Sequence, residues 1–293
     1  MKRHSQRCFI VMFLVPPLAI YCLFVLLPAI NALRYSLLRW DGLSRPVFVG
    51  IKNFVTLLGP ASDFPYALQH NLFLTVAPGV IILSLALFFA YSIHQRVRGA
   101  RLFRIAFFFP NVISTVAIAL LWQFIYSTGQ AGLINGLVHH FHPRAQPIPF
   151  TQSSNLLRAL VPMIVWTGTG FYMVLFLAAM ESIPESYYEA ARLDGASNSA
   201  LFRHVTLPLM WDVLSTGIIF LVVGGLKTFD SIWIMESGRP TRATHTLSTL
   251  MYSRVFEEYN IGMGAAVAVL LFLLALAASL VSRRLLQREA LEY

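Results

Sequence analysis

Long apolar runs separated by short polar segments set the pattern of this chain. They lie at about 9–30, 71–94, 105–127, 156–180, 209–227 and 262–282. Each is close to the roughly twenty residues a helix needs to cross a ~30 Å hydrocarbon layer. The pattern predicts an all-α polytopic membrane protein with six transmembrane helices. The fifth run is the least regular, with Asp212 near its start and Lys227 and Asp230 near its end. The first run follows the basic stretch MKRHSQR and has the charge order of a signal peptide. Its apolar part is too long for one, and no small-x-small cleavage site follows, so it reads as a retained span kinked at Pro16-Pro17.

Composition agrees. The 293 residues are 57% hydrophobic and 12% charged, with a mean hydropathy of +0.67. A soluble domain carries roughly 25% charged residues. The net charge of +9 is therefore read for topology before nucleic acid is considered. Six spans place both termini on one side, together with KRHSQR, HQRVRGARLFR, the 188–209 stretch and RRLLQRE. The Arg density of these segments assigns that side to the cytoplasm. Cys8 and Cys22 fall on one rising helix and cannot meet, which excludes a disulfide framework.

The stretch YEAARLDGASNSALFRHVTLPL, Tyr188 to Leu209, breaks the apolar pattern. Glu185, Glu189, Arg192, Asp194 and Arg203 would each cost about 2.5–3.5 kcal/mol at a helix centre in lipid, so the segment belongs at the surface. Ser182 and Glu185 are spaced as a capping box with Pro184 in the first turn. Good helix formers follow to Leu193, Gly195 is placed for a left-handed cap, and Ser197 is placed to start a second helix. That helix carries Leu201, Phe202 and Val205 on one side, and Pro208 marks the entry to the next span. Tyr188, Leu201 and Phe202 would give this pair of helices an apolar surface. Docking into a groove on another protein and lying on lipid headgroups fit that surface equally.

At these residues the chain resembles the inner-membrane permeases of binding-protein-dependent ABC importers, whose EAA loop has the pattern EAARLDGA…F…TLPL. FVGIKNFVTLL, GLIN and TFDSIWIMESGRPTRATHTLSTLMYSRVFE followed by IGMGAAVAVLL are similar to segments of the sugar class. They match the first permease subunit of the glycerol-phosphate and maltose type. Asp212 stands where the family often has Pro, and Ser237-Gly238-Arg239-Pro240 where it often has Gly-Gly-Pro. The resemblance implies an ABC importer permease fold with a cytoplasmic EAA coupling loop. In that fold residues 1–66 form the tail, first helix and outer loop. Residues 67–284 form the permease core with the coupling loop at about 182–208, and 285–293 form a cytoplasmic tail. It further implies a multi-pass protein of the bacterial cytoplasmic (inner) membrane. Its implied partners are a second permease subunit in a heterodimer, two ATPase subunits and an extracytoplasmic sugar-binding protein. Carried over, Glu189 pairs with a basic group on the ATPase, and Ala190 and Ala191 permit close approach. Asp194 and Gly195 set the corner, and Leu207-Pro208 transmit movement to the fifth span.

No Lys follows Gly as a phosphate-binding loop requires, since Lys2, Lys52 and Lys227 follow Met, Ile and Leu. The chain is thus read as non-enzymatic, with no cofactor of its own and with ATP and Mg2+ held by the ATPase partners. For the substrate path, Trp166, Thr167, Thr169 and Tyr172 of WTGTGFY could stack on and hydrogen-bond a sugar, or the small residues could serve close helix packing. Asn111 and Gln123 either line the same cavity or join helices. Asp230 either lines the path or pairs with Lys227 one turn away. His139, His140 and His142 lack nearby carboxylate or thiol ligands in sequence, so no metal site is expected. An ABC permease for a non-sugar solute and an ion-coupled secondary transporter are the rival functions. The latter calls for midspan acids and an internal repeat, neither of which is seen.

Overall fold

A computed structural model describes residues 2–95, 99–129 and 132–287. Arg96 and Arg98 of the basic loop and residues 288–293 of the tail lie outside the described residues, as does the side chain of Cys8. Four helices are long and apolar enough to cross a membrane: Ile10–Ser36, Phe64–His94, Ser153–Glu181 and Ile261–Leu286. Two bent pairs qualify together, Ala100–Val112 with Thr115–Ile125 at 98° and Asn198–Leu209 with Trp211–Leu226 at 73°. Counting each pair as one span gives six. By internal contacts the chain divides into residues 1–65 with 250–272, and 66–249 with 273–293.

In the first unit, none of the hydrophobic window of Ile10–Ser36 is buried. A helix apolar all round needs an apolar environment, which the bilayer supplies. The helix continues through Pro16-Pro17. Its local departure from α geometry is a π-turn over Cys22–Leu26, where the Leu27 N–H reaches the Cys22 carbonyl, one residue before Pro28. This wider turn precedes a different proline from the pair at which the sequence places a kink. Proline clashes with the carbonyl four residues back, and a wider turn relieves that clash. Beyond the span, Leu38–Arg39 and Val47–Phe48 pair antiparallel. Asn53, the Asn of GIKNF, donates from Nδ2 to the carbonyls of Ser36 and Leu38, both at 2.8 Å. Arg254 holds Asp63 at 2.9 Å and Glu258 as its i+4 partner.

The second unit carries two apolar cores. One joins Ala86 and Ala90 of the second span to Met173, Phe176 and Met180 of the fourth and to Met210 and Leu214 around the fifth. The other gathers Leu74, Ile118, Tyr126, Leu156, Leu160 and Ile232. Close approach is set by Gly170, where an added Cβ would run into the Phe107 carbonyl. The third span breaks where Ile113 and Ser114 turn to extended geometry just after Pro110. The fifth span proper begins at Trp211, with Asp212 in its first turn. There a carboxylate faces the positive end of the helix dipole.

Candidate functional site

The charged stretch folds as two helices joined at a corner. The first, Glu185–Leu193, starts after Pro184 with no side-chain cap, because the Ser182 hydroxyl donates instead to the Ala179 carbonyl at 2.7 Å. It ends as a Schellman motif: Gly195 has φ +83°, its N–H meets the Arg192 carbonyl at 3.0 Å, and the Ala196 N–H meets the Ala191 carbonyl at 2.9 Å. Nothing lies within 4 Å of a Cβ built on Gly195, so backbone conformation alone demands glycine here. Ser197 then accepts the Ala200 N–H at 3.3 Å and opens the arm Asn198–Leu209. Within that arm a π-turn over Phe202–Thr206 precedes Leu207-Pro208, repeating the arrangement ahead of Pro28.

The corner has its own small core. Ile183, Tyr188 and Leu201 are buried together, with Ala191, Ala196, Val205 and Leu209 packed against them. The Tyr188 hydroxyl lies 3.2 Å from Thr206 Oγ1, and burial raises the pKa of the phenol. Tyr188 is 2% exposed and Leu201 is 1% exposed, so they hold the two helices to each other. Phe202 turns inward as well, edge-on to Tyr91 at 4.8 Å, and the Tyr91 hydroxyl donates to the Asn198 carbonyl at 2.8 Å. The apolar docking surface expected from these three residues is therefore internal. What the elbow presents outward is Tyr187, Glu189, Ala190, Leu193 (89% exposed), Asp194 and Gly195. Glu189 and Asp194 make no ion pair among the described residues, whereas Glu185 is taken by Arg192 at 3.2 Å. Leu207 packs against the larger core, which includes Met210 and Leu214 where the arm bends into the fifth span.

At the far end of that span a cavity of about 320 Å³ is lined by Thr75, Thr115, Thr167, Tyr172, Lys227, Thr228, Asp230 and Ser231 among others. A second recess of about 170 Å³ shares Thr115, Thr167 and Ser231 and adds Asn111. Asn111, Thr167, Tyr172 and Asp230 are thus brought to adjoining hollows. The Asn111 amide also donates to the Thr167 carbonyl at 3.4 Å. Thr169, Trp166 and Gln123 line neither hollow. The Thr169 hydroxyl donates to the Val165 carbonyl at 2.6 Å, and Trp166 lies 6.2 Å from Trp122 ring to ring. Lys227 and Asp230 are exposed and form no ion pair with each other; both belong to the cavity lining. Among the described residues no group of three or more His, Cys, Asp or Glu could hold a metal ion.

Two polar pins were not singled out as site residues in the sequence. Asn135 of GLIN is buried, donates to the carbonyls of Ser127 and Ile148, and accepts the Ile148 N–H at 2.7 Å. Asn71 binds the end of the fifth span in the same manner. For Asn71 the available signal was a polar residue at the head of an apolar run; Asn135 lies between runs, in GLIN. The partners of Asn71 lie 154 to 176 residues away, beyond any local pattern, whereas those of Asn135 lie 8 and 13 residues away.

Membrane-length helices, a charged elbow on the fifth of them and a hydroxyl-lined hollow at its other end describe a solute carrier's membrane subunit. Over residues 83–290 the chain matches the family described as the binding-protein-dependent transport system inner membrane component, and it belongs to that family. It is 30% identical to the probable ABC transporter permease protein YurN of Bacillus subtilis, over 93% of this chain and 94% of the relative. It is also 30% identical to the trehalose/maltose transport system permease protein MalF of Thermococcus litoralis, over 92% and 90% of the two chains. The fold is shared with a chain in the crystal structure of a bacterial alginate ABC transporter in complex with alginate pentasaccharide-bound periplasmic protein. That match has a TM-score of 0.84 at 20% identity and covers 99% of this chain and 97% of the other.

Proposed function

We propose that this permease moves a sugar or sugar derivative across the cytoplasmic membrane, and that its elbow takes force from a separate ATP-hydrolysing subunit. The observation that carries the proposal is that elbow and cavity are the two ends of one bent element. The arm Asn198–Leu209 continues into Trp211–Leu226, whose last turn supplies Gly224 and Gly225 to the cavity wall. Sixteen residues at ~1.5 Å each give a rod of about 24 Å between them. Glu189 and Ala190 stand exposed for the ATPase groove, with the carboxylate free for a charge-assisted contact. Asp194 and Gly195 hold the corner, Ala191 fixes it from within, and Leu207-Pro208 pass displacement to Met210 and the core. The chain itself performs no hydrolysis; ATP and Mg2+ belong to two ATPase subunits. A second permease subunit completes the pathway and an extracytoplasmic receptor delivers the solute. Both termini and the elbow face the cytoplasm.

Support for a sugar comes from the cavity chemistry and from relatives named for sugars. They include the trehalose/maltose permease and the multiple sugar-binding transport system permease protein MsmF of Streptococcus mutans, 29% identical over 89% of this chain. Tyr172, largely packed into the core, borders the cavity, while the hydroxyls of Thr75, Thr167 and Thr228 and the charges of Lys227 and Asp230 suit a polyhydroxylated solute. The test is the whole transporter purified through this chain and reconstituted in proteoliposomes with its receptor. Expected are a stoichiometric ATPase subunit, ATP-dependent uptake of labelled trehalose or maltose, and at least a tenfold fall in uptake for Tyr172→Ala with ATP hydrolysis retained. Purification without any ATPase subunit would overturn the coupling reading. ATP-driven uptake of neither sugar, nor of any other in a labelled panel, would overturn the sugar reading.

A further inference from the structure

Asn71 is wholly buried near the start of the second span, one turn before Thr75 of the cavity wall. Its Nδ2 donates to the carbonyls of Gly225 at 2.9 Å and Leu226 at 3.3 Å, and its Oδ1 accepts the Leu247 N–H at 2.7 Å. Gly225 and Leu226 belong to the last turn of the fifth span, whose terminal carbonyls look beyond the helix for partners; the Gly225 carbonyl also accepts the Thr228 N–H at 3.3 Å and the Thr228 hydroxyl at 2.9 Å. Leu247 belongs to THTLST, Thr244–Thr249, a polar segment in which no residue is more than 9% exposed. Two more bonds tie the same segment in place. The Thr246 hydroxyl donates to the Thr228 carbonyl at 2.7 Å, and His70 Nδ1 meets the His245 carbonyl at 2.8 Å. Gly225 sits so close to the Thr75 side chain that no Cβ would fit between them. One buried amide therefore joins three segments distant in sequence where two of them face each other across the hollow.

We propose that Asn71 is a positioning residue for solute passage. By capping the fifth span and holding Leu247, it sets the separation of the second and fifth spans and so the shape of the cavity wall. This rests on the permease reading above. An apolar residue of equal size would fill the same volume without fixing register, since only the amide specifies which carbonyls it meets. Gly224 offers a built-in reporter: it lines the cavity, and nothing lies within 4 Å of a Cβ placed there.

The experiment uses the full chain in its assembled transporter, with Cys8→Ser, Cys22→Ser and Gly224→Cys, labelled in membranes by a water-soluble maleimide. Amide hydrogen exchange is followed at pH 8. Asn71→Leu removes every bond, while Asn71→Asp keeps an acceptor for Leu247 and loses the amide donors. We expect at least a threefold change in labelling rate at position 224 in both variants. Exchange at Leu247 should speed at least tenfold in Asn71→Leu only. Wild-type labelling in both variants would overturn the proposal. So would uniform loss of protection across 66–249 in Asn71→Asp, which marks a merely structural residue. Should Asn71→Leu fail to reach the membrane, Asn71→Asp decides alone. Trehalose and maltose uptake by the unmutated chain is scored separately. Its absence, together with that of every other sugar in the labelled panel, defeats the sugar reading, while labelling and exchange still decide the role of Asn71.

Discussion

Asn53, Asn71 and Asn135 each bond backbone groups outside their own helical turn, two of them through three hydrogen bonds apiece. Leaving a buried backbone group unpaired costs about 1–3 kcal/mol. Asn135→Leu should therefore lower the unfolding midpoint in detergent clearly, and Asn53→Leu likewise, whereas Asn155→Leu should leave it nearly unchanged. Asn155 makes one exposed contact, to the Pro149 carbonyl at 3.1 Å. Gly195 gives a contrasting case. At φ +83° with open space around it, Gly195→Val suffers backbone strain of about 1–2 kcal/mol and no clash. Uptake is expected to be lost while membrane content is kept, and Gly195→Asn, which tolerates that conformation, should restore much of it. The corner was legible because Gly and the flanking helix formers act locally. The pins were not, because an Asn among apolar residues announces a partner without saying where it lies.

Between helices the decisive feature is close approach. Gly170 faces the Phe107 carbonyl, a backbone atom that cannot rotate away, while Gly168 faces the end of the flexible Ile82 side chain at 2.8 Å. Gly170→Ala should thus destabilise by about 1–3 kcal/mol and Gly168→Ala by clearly less, as measured by thermal midpoints. Of the two readings open for WTGTGFY, packing accounts for Gly170, while Thr167 and Tyr172 reach the hollow. Both prolines that follow π-turns, Pro28 and Pro208, were visible in the sequence, but the wider turns ahead of them were not. Hydrophobic runs report length and apolar character, and carry no trace of a five-residue hydrogen-bond register. The 98° break in the third span was marked in the sequence only by Pro110-Asn111 and Ser114-Thr115, which interrupt the apolar run 105–127 without giving an angle.

For the molecule in its membrane, orientation is the property to measure. Leu193, at 89% exposure, is the most outward part of the elbow. With Cys8 and Cys22 replaced by Ser, a cysteine there should react with an impermeant maleimide in inside-out vesicles stripped of the ATPase and stay unlabelled in right-side-out ones until detergent opens them. Reaction from the outer face of intact cells would reverse the topology. Surface ion pairs should matter little at this scale. Arg104 and Glu181 meet at 3.0 Å with both side chains about half exposed, so exchanging their charges should shift stability by no more than about 0.5 kcal/mol.

The 73° corner at Met210 has a mechanical consequence. Two rods set nearly at right angles behave as a crank: a thrust along the short one swings the long one sideways about the pivot instead of pushing it lengthwise. With a throw of about 24 Å, a tilt near 5° carries Gly224 and Gly225 roughly 2 Å. That is far enough to part a hydrogen bond, so under the proposed coupling a small stroke at the hinge would be enough to remake the proposed grip at the other end.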